Sequence, residues 1–376
     1  MKKIIINGIC LIGDELISGK GLVFSDKIEG LLALDELPED AELIDARGAY
    51  VLPGFIDIHV HGMGGYDTMD ATKEALDTLS TEMVKHGVTS FLATTVTHEL
   101  EKVKKAIDNV RMHRKGVQGA KCHGIHLEGP FINPLKKGAH DEKFILTPDA
   151  DVFKDDADVI RLVTYAPELD PEGTMLEWSK ATGIKLSLGH SNASYAQAMD
   201  AFKKGVHSVT HIFNAMTGLH HREPGVVGAA FNADVYTELI ADDIHVNPVL
   251  YQTLFKQKGN KRLMLITDCM CAGGMPAGKY SLGTLNVVVD HEKATLEDGT
   301  LAGSILTLNH ALKHFVKHSE EPLGSVMSMM GENQAELLDM KGIGQLKKGF
   351  YADIVLMNES FEVLQTYVNG EPKLRS

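Results

Sequence analysis

Cysteine is scarce in this chain of 376 residues: Cys10, Cys122, Cys269 and Cys271 are the four, irregularly spaced and without a C-x-x-C pair. That argues against a disulfide framework, and a reducing compartment is the expectation. Positive charge is also in short supply, with 37 Lys and Arg against 51 Asp and Glu and a formal net charge of −14. Proteins that read nucleic acid usually present a basic face, so nucleic acid is not an expected partner, and an anionic ligand would need a local cationic pocket. No run approaches the ~20 apolar residues needed to cross a bilayer. The start, MKKIIINGICLIG, resembles a signal peptide only briefly: Asn7 and Gly8 interrupt the apolar run, Asp14 and Glu15 follow, and no small-residue cleavage site appears. It reads as a first strand and turn, so the expectation is a soluble, cytoplasmic protein without a membrane partner. Low-complexity segments, short repeats and a G-x-G-x-x-G turn after an early strand are absent as well.

What is there is ordinary globular composition, 44% hydrophobic, in a chain long enough to bury a large core. Both ends look β-rich. Residues 1–52 alternate in short segments broken by Gly, Asp and Pro, and QLKKGFYADIVLMN with VLQTYVNGEP resembles them near the other end. Between lie eight apolar runs, GFIDIHVHG, SFLATTVT, CHGIHLEGPFI, IRLVTYAPE, KLSLGHS, SVTHIFNAM, TELIADDIHV and RLMLITDCM. They are separated by segments such as TKEALDTLSTEMVKHG, SYAQAMDAFKKG and NPVLYQTLFKQKG, whose apolar residues recur near a 3.6 period and which end in Gly. The pattern predicts an α/β fold, a (β/α)8 TIM-like barrel over residues 53–344, with a small β-sandwich built from residues 1–52 and 345–376. A doubly wound open sheet is the alternative. LEDGTLAGSILTLNH reads as a hairpin or loop leading into a helix.

His59 and His61 end the first run two residues apart, and on a strand that spacing puts both imidazoles on one face. An H-x-H pair alone says little among 18 histidines. In a barrel, however, the active site sits at the carboxyl ends of the strands, and five of the other seven runs end on chemically similar residues: Glu128, His190, His211, His245 and Asp268. Imidazoles with carboxylates suit zinc, iron or another divalent transition ion. Each also has a bland reading, as a core histidine bonded to backbone or, for Glu128 and Asp268, as a cap. Cys269 and Cys271 are read as small apolar fillers around a buried strand end rather than as soft metal ligands.

HVHG, HLEGPFI, KKGAH, GHS, THIFNAM, REPG, TDCMCAGG and GQLKKGFYADIVLMN occur in this order along nearly the whole chain. Together they closely resemble the amidohydrolase superfamily, and within it the deacetylases that act on N-acetylglucosamine 6-phosphate. The resemblance implies that Glu128, His190 and His211 hold a principal metal and that His59 and His61 hold a second, giving one or two divalent ions per subunit. It implies Asp268 as the acid/base that takes a proton from water and passes it to the amine. His140 is a candidate hydrogen-bond donor to the acetyl oxygen, with an exposed loop histidine as the alternative. Arg222 and His245 are implied as phosphate contacts, one of them from a neighbouring subunit of a homodimer; a surface ion pair is the alternative for Arg222. Ala139, His140, Asn214, Ala215, Leu301, Ala302 and Gly303 would line the sugar of a phosphorylated amino-sugar substrate. The same chemistry would serve N-acetylgalactosamine 6-phosphate or another acylated amino compound, and a non-catalytic binding protein on the same fold would be expected to lack a ligand or the acid.

Overall fold

A computed structural model describes residues 2–374. The eight apolar runs become eight parallel strands: β1 (Phe55–Val60), β2 (Val88–Thr95), β3 (Lys121–Glu128), β4 (Ile160–Tyr165), β5 (Lys185–Leu188), β6 (Ser208–Val209), β7 (Tyr236–Ile240) and β8 (Leu263–Ile266). They pair in sequence order. The ring closes just beyond β1 and β8, where Val60 bridges Cys269 and the Asp268 amide donates to the His59 carbonyl at 2.8 Å. Strands buried on both faces read as nearly continuous apolar runs, which is why they stood out in the sequence.

Among the described residues seven helices follow the strands, α1 (Lys73–Met83), α2 (Leu100–His113), α3 (Thr174–Thr182), α4 (Tyr195–Lys204), α5 (Gly225–Asn232), α6 (Val249–Lys258) and α7 (Leu308–Ser319), and two short ones, Leu323–Val326 and Glu332–Leu337, come after them. Their ends follow local chemistry. Thr72 caps α1 by accepting from the Ala75 amide, and Ser194 and Gln197 form a reciprocal capping box on α4. The expected alternation fails once. Between β3 and β4 the described residues contain only short 3₁₀ turns, in a segment interrupted by Pro130, Pro134 and Pro148. The connection therefore stays a loop, and it reaches over the end of the barrel. After β8 the chain forms a three-stranded antiparallel sheet (Gly278–Leu282, Leu285–Val289 and Ala294–Thr295) before α7.

The termini build two further sheets. One orders Ile28–Ala33, Lys20–Phe24, Lys3–Ile6 and Glu42–Asp45; the other runs from Glu371–Pro372 through Val363–Val368, Ile354–Met357, Tyr50–Pro53 and Ile9–Ile12 to Glu15–Ile17. A separate apolar cluster, including Ile5, Leu22, Phe24, Val51, Ile354 and Tyr367, lies with them. Both ends of the chain thus contribute to one β unit, as the sequence suggested. Residues 1, 375 and 376 of that expected unit lie outside the described residues. Gly54 links it to the barrel, and a Cβ there would fall 2.2 Å from the Thr89 hydroxyl, so the close passage requires glycine. Among the described residues no helix is long and apolar enough to cross a membrane.

Candidate active site

The ends of β1, β3, β5, β6 and β8 place His59, His61, Glu128, His190, His211 and Asp268 together, all buried. Glu128 is the centre. Its Oε1 lies 3.1 Å from the Nε2 atoms of His190 and His211 and 3.3 Å from that of His59. Its Oε2 lies 3.2 Å from His61 Nε2 and 3.3 Å from His140 Nε2. Asp268 Oδ1 faces His61 Nε2 at 3.2 Å and His59 Nε2 at 3.5 Å. His190, His211 and Asp268 have left-handed backbones, with φ of 47°, 28° and 51°. Such non-glycine conformations cost of order 1–3 kcal/mol each and persist only where the surroundings hold them. At Asp268 the holding bonds are the amide to His59 and the carbonyl that accepts from the Ser304 amide at 2.7 Å.

The tautomers show what the cluster is made to bind. His190 Nδ1 lies 2.9 Å from the Lys136 carbonyl and must donate to it, so a neutral His190 turns a bare Nε2 toward Glu128 and toward the His211 ring. His59 behaves alike: Nδ1 meets Glu238 Oε2 at 3.0 Å, leaving Nε2 to face two carboxylates without a hydrogen-bond partner. Lone pairs aimed at carboxylate oxygens repel unless a cation stands between them. The donor separations of 3.1–3.3 Å are close to the roughly 3.3 Å edge expected for tetrahedral ligands about 2.0–2.1 Å from zinc. The residues therefore fit a divalent transition ion.

Burial opposes protonation of His61, but its bonds to Asp268 and Glu128 outweigh burial and hold it up at about 10. Burial likewise opposes ionisation of Asp268, and His59 and His61 overcome it, keeping the carboxyl well below its usual range. His140 goes the other way: burial and the neighbouring His190 push it down to about 4. Its Nδ1 accepts from the Thr97 amide at 3.2 Å, so the neutral ring turns Nε2–H toward Glu128. It is a buried donor, and the exposed-loop alternative is discarded. His126, also in run three, is satisfied by the Ile58 carbonyl and the Thr164 hydroxyl; it is a core histidine.

A cavity of about 250 Å³ opens onto the cluster. Of the residues expected around a sugar and its phosphate, Ala139, His140, Asn214, Ala215, His245, Leu301 and Gly303 line it. Two do not. Ala302 is fully buried in the apolar cluster behind the β8–α7 sheet, and Arg222 is exposed with its guanidinium against His221. His245 is held by Asp242, whose Oδ2 is 2.7 Å from Nδ1. Leu282 and Thr300 also line the cavity and were not anticipated, although the L-G-T-L stretch at 282–285 is a two-residue hairpin signal. Glu238, buried in the middle of β7 and bonded to His59, was likewise missed. The available signal was a carboxylate in the strand part of the run, YTELI, ahead of Asp242 and Asp243 at its end.

Comparison with known proteins agrees with this geometry. Residues 50–373 match the amidohydrolase family. An N-acetylglucosamine-6-phosphate deacetylase of Bacillus subtilis (strain 168) is 39% identical over 345 residues, covering 89% of this chain and 87% of its own. The crystal structure of N-acetylglucosamine-6-phosphate deacetylase from Pasteurella multocida matches with a TM-score of 0.95 at 31% identity over 100% of both chains. A Mycobacterium smegmatis N-acetyl-D-glucosamine-6-phosphate deacetylase variant, solved in complex with N-acetyl-D-glucosamine-6-phosphate, matches with a TM-score of 0.92 at 30% identity, again over 100% of both chains. The chain belongs to the amidohydrolase family, in its branch of N-acetylglucosamine-6-phosphate deacetylases.

Proposed function

We propose that this protein removes the acetyl group from N-acetyl-D-glucosamine 6-phosphate, giving D-glucosamine 6-phosphate and acetate. The observation that carries the reading is the cluster of imidazole nitrogens and two carboxylates opening into a cavity lined by small residues and by His245, which Asp242 holds. Glu128, His190 and His211 would hold one ion and His59 with His61 a second, with Glu128 offering an oxygen to each set; zinc and iron both suit these donors. When bound, the metal supplies Lewis acidity toward a carbonyl oxygen and lowers the pKa of water.

The rest falls to the chain itself. Asp268 is buried at the cavity floor, where its carboxylate accepts a proton from the attacking water and returns it to the amine nitrogen as the C–N bond breaks. His140, neutral and already oriented by Thr97, donates Nε2–H to the oxygen that gains charge as water adds. His245, whose pKa Asp242 raises against the effect of burial, binds the phosphate. Arg222 does not line its own cavity and lies exposed beside His221, which suits a contact to the phosphate in the neighbouring subunit of a homodimer. The expected division, a catalytic barrel over 53–344 and a β unit from 1–52 and 345–376, would serve a cytoplasmic enzyme, with Pro53 itself at the end of the β-unit strand Tyr50–Pro53. Acetate release from N-acetylglucosamine 6-phosphate that stops on chelation and returns with zinc or ferrous iron tests the assignment. Release that survives complete metal removal refutes it.

A further inference from the structure

Glu238 is the most anomalous buried group outside the residues assigned above. It lies in the middle of β7, fully buried, with its side chain turned into the barrel among His59 and His126. One oxygen carries two bonds: Oε2 lies 3.0 Å from His59 Nδ1 and 3.3 Å from the backbone amide of His211. The other, Oε1, is buried with no partner. A buried carboxylate that leaves half its acceptors unused is costly, and an apolar residue of the same size would pack there at lower cost. Stability alone does not account for it.

Its two contacts explain its presence better. His59 comes from β1 and His211 follows β6, so Glu238 joins the imidazole of one ligand set to the backbone of a ligand in the other. The bond to Nδ1 fixes the His59 tautomer and turns a bare Nε2 toward Glu128 and Asp268. The bond to the His211 amide, with the Ile212 amide donating to the Glu238 carbonyl at 2.9 Å, clamps the left-handed turn that aims His211 Nε2 at Glu128. The side chains of Thr237 and Leu239, its chain neighbours, make no hydrogen bond to either ligand.

We propose that Glu238 is a positioning residue that orients one ligand from each half of the centre, so that β7 sets the affinity for the ion without touching it. This rests on the metal-binding reading of the site. It separates two substitutions of similar size. Glu238→Met removes the acceptor, whereas Glu238→Gln keeps an oxygen able to receive both N–H groups and loses only the charge.

The test is zinc titration of metal-depleted full-length protein against a competing chelator, with bound ions counted by elemental analysis, beside thermal unfolding of the same metal-free samples. Glu238→Met is expected to bind zinc 10- to 100-fold more weakly, with a metal-free midpoint equal to or above that of the natural protein, and Glu238→Gln is expected to recover most of the affinity. Affinity of Glu238→Met within twofold of the natural protein overturns the proposal. So does a loss of affinity that accompanies a lowered metal-free midpoint and is not rescued by Gln, which marks a purely structural role. Because Glu238 contacts a ligand of each set, one bound ion in the natural protein refutes the two-ion arrangement yet still reads the role of Glu238, and no bound zinc refutes the metal reading itself.

Discussion

Removing the charge on His245 is the perturbation whose size follows most directly from the structure. His245 lines the cavity, and its Nδ1 is taken by Asp242 at 2.7 Å, leaving Nε2–H for an anionic ligand. Burial pulls the imidazole down, but Asp242 more than compensates, so its pKa stands above 6.5. A hydrogen bond to a charged partner contributes about 1.5–3 kcal/mol, so His245→Gln should raise KM for N-acetylglucosamine 6-phosphate roughly 10- to 150-fold. KM for unphosphorylated N-acetylglucosamine should stay within about twofold. Asp242→Asn refines the test: it retains an oxygen for the Ile244 and His245 amides but removes the charge. A raised pKa means the imidazolium is present below it and lost as pH climbs through it, so KM should rise toward alkaline pH, and in Asp242→Asn that rise should begin at lower pH. Steady-state KM from pH 6 to 9 on both sugars measures this, and titration of the substrate phosphate cancels in the comparison between proteins. Equal increases on both sugars, or an unmoved pH profile in Asp242→Asn, would refute the phosphate role.

Three further expectations follow from particular residues. Asp268→Asn should abolish acetate release while leaving bound metal, counted by elemental analysis, nearly intact; loss of the ion would make Asp268 chiefly a ligand. Arg222→Ala should raise KM for the phosphorylated sugar and leave the unphosphorylated one unchanged, and light scattering should show a dimer; a monomer with an unaffected KM would contradict the shared site. His123 is pushed down to about 4 by burial and by Lys121, Arg161 and Arg114. Its depressed pKa favours the neutral folded form, so stability is full above the unfolded value near 6.5 and falls between there and pH 4. Urea unfolding should lose about 1–2 kcal/mol more between pH 7 and 5 than in His123→Asn; parallel losses would refute it.

Much of the site was legible because a parallel barrel writes itself into the sequence: buried strands are apolar throughout, and chemistry collects where each run ends. His59, His61, Glu128, His190, His211 and Asp268 were found by that rule alone. The misses have physical causes. Helix α5, GVVGAAFN, is buried nearly all round and carries neither a capping side chain nor an amphipathic stripe. The helix expected between β3 and β4 is replaced by a proline-broken loop that delivers His140. Strand β6 is only two residues long because the chain turns at His211, where φ is 28°. Glu238 escaped notice because a carboxylate in a strand is normally the residue that faces water. Ala302 and Arg222 adjoin site residues along the chain but point elsewhere, and only three-dimensional structure separates neighbours in sequence from neighbours in space.

The most direct test of the central claim is acetate release by purified, metal-analysed protein from N-acetylglucosamine 6-phosphate, N-acetylgalactosamine 6-phosphate and unphosphorylated N-acetylglucosamine in parallel. The account predicts strong preference for the first, with kcat/KM falling at least tenfold when the phosphate is absent. No release from any of the three by metal-loaded protein would contradict it.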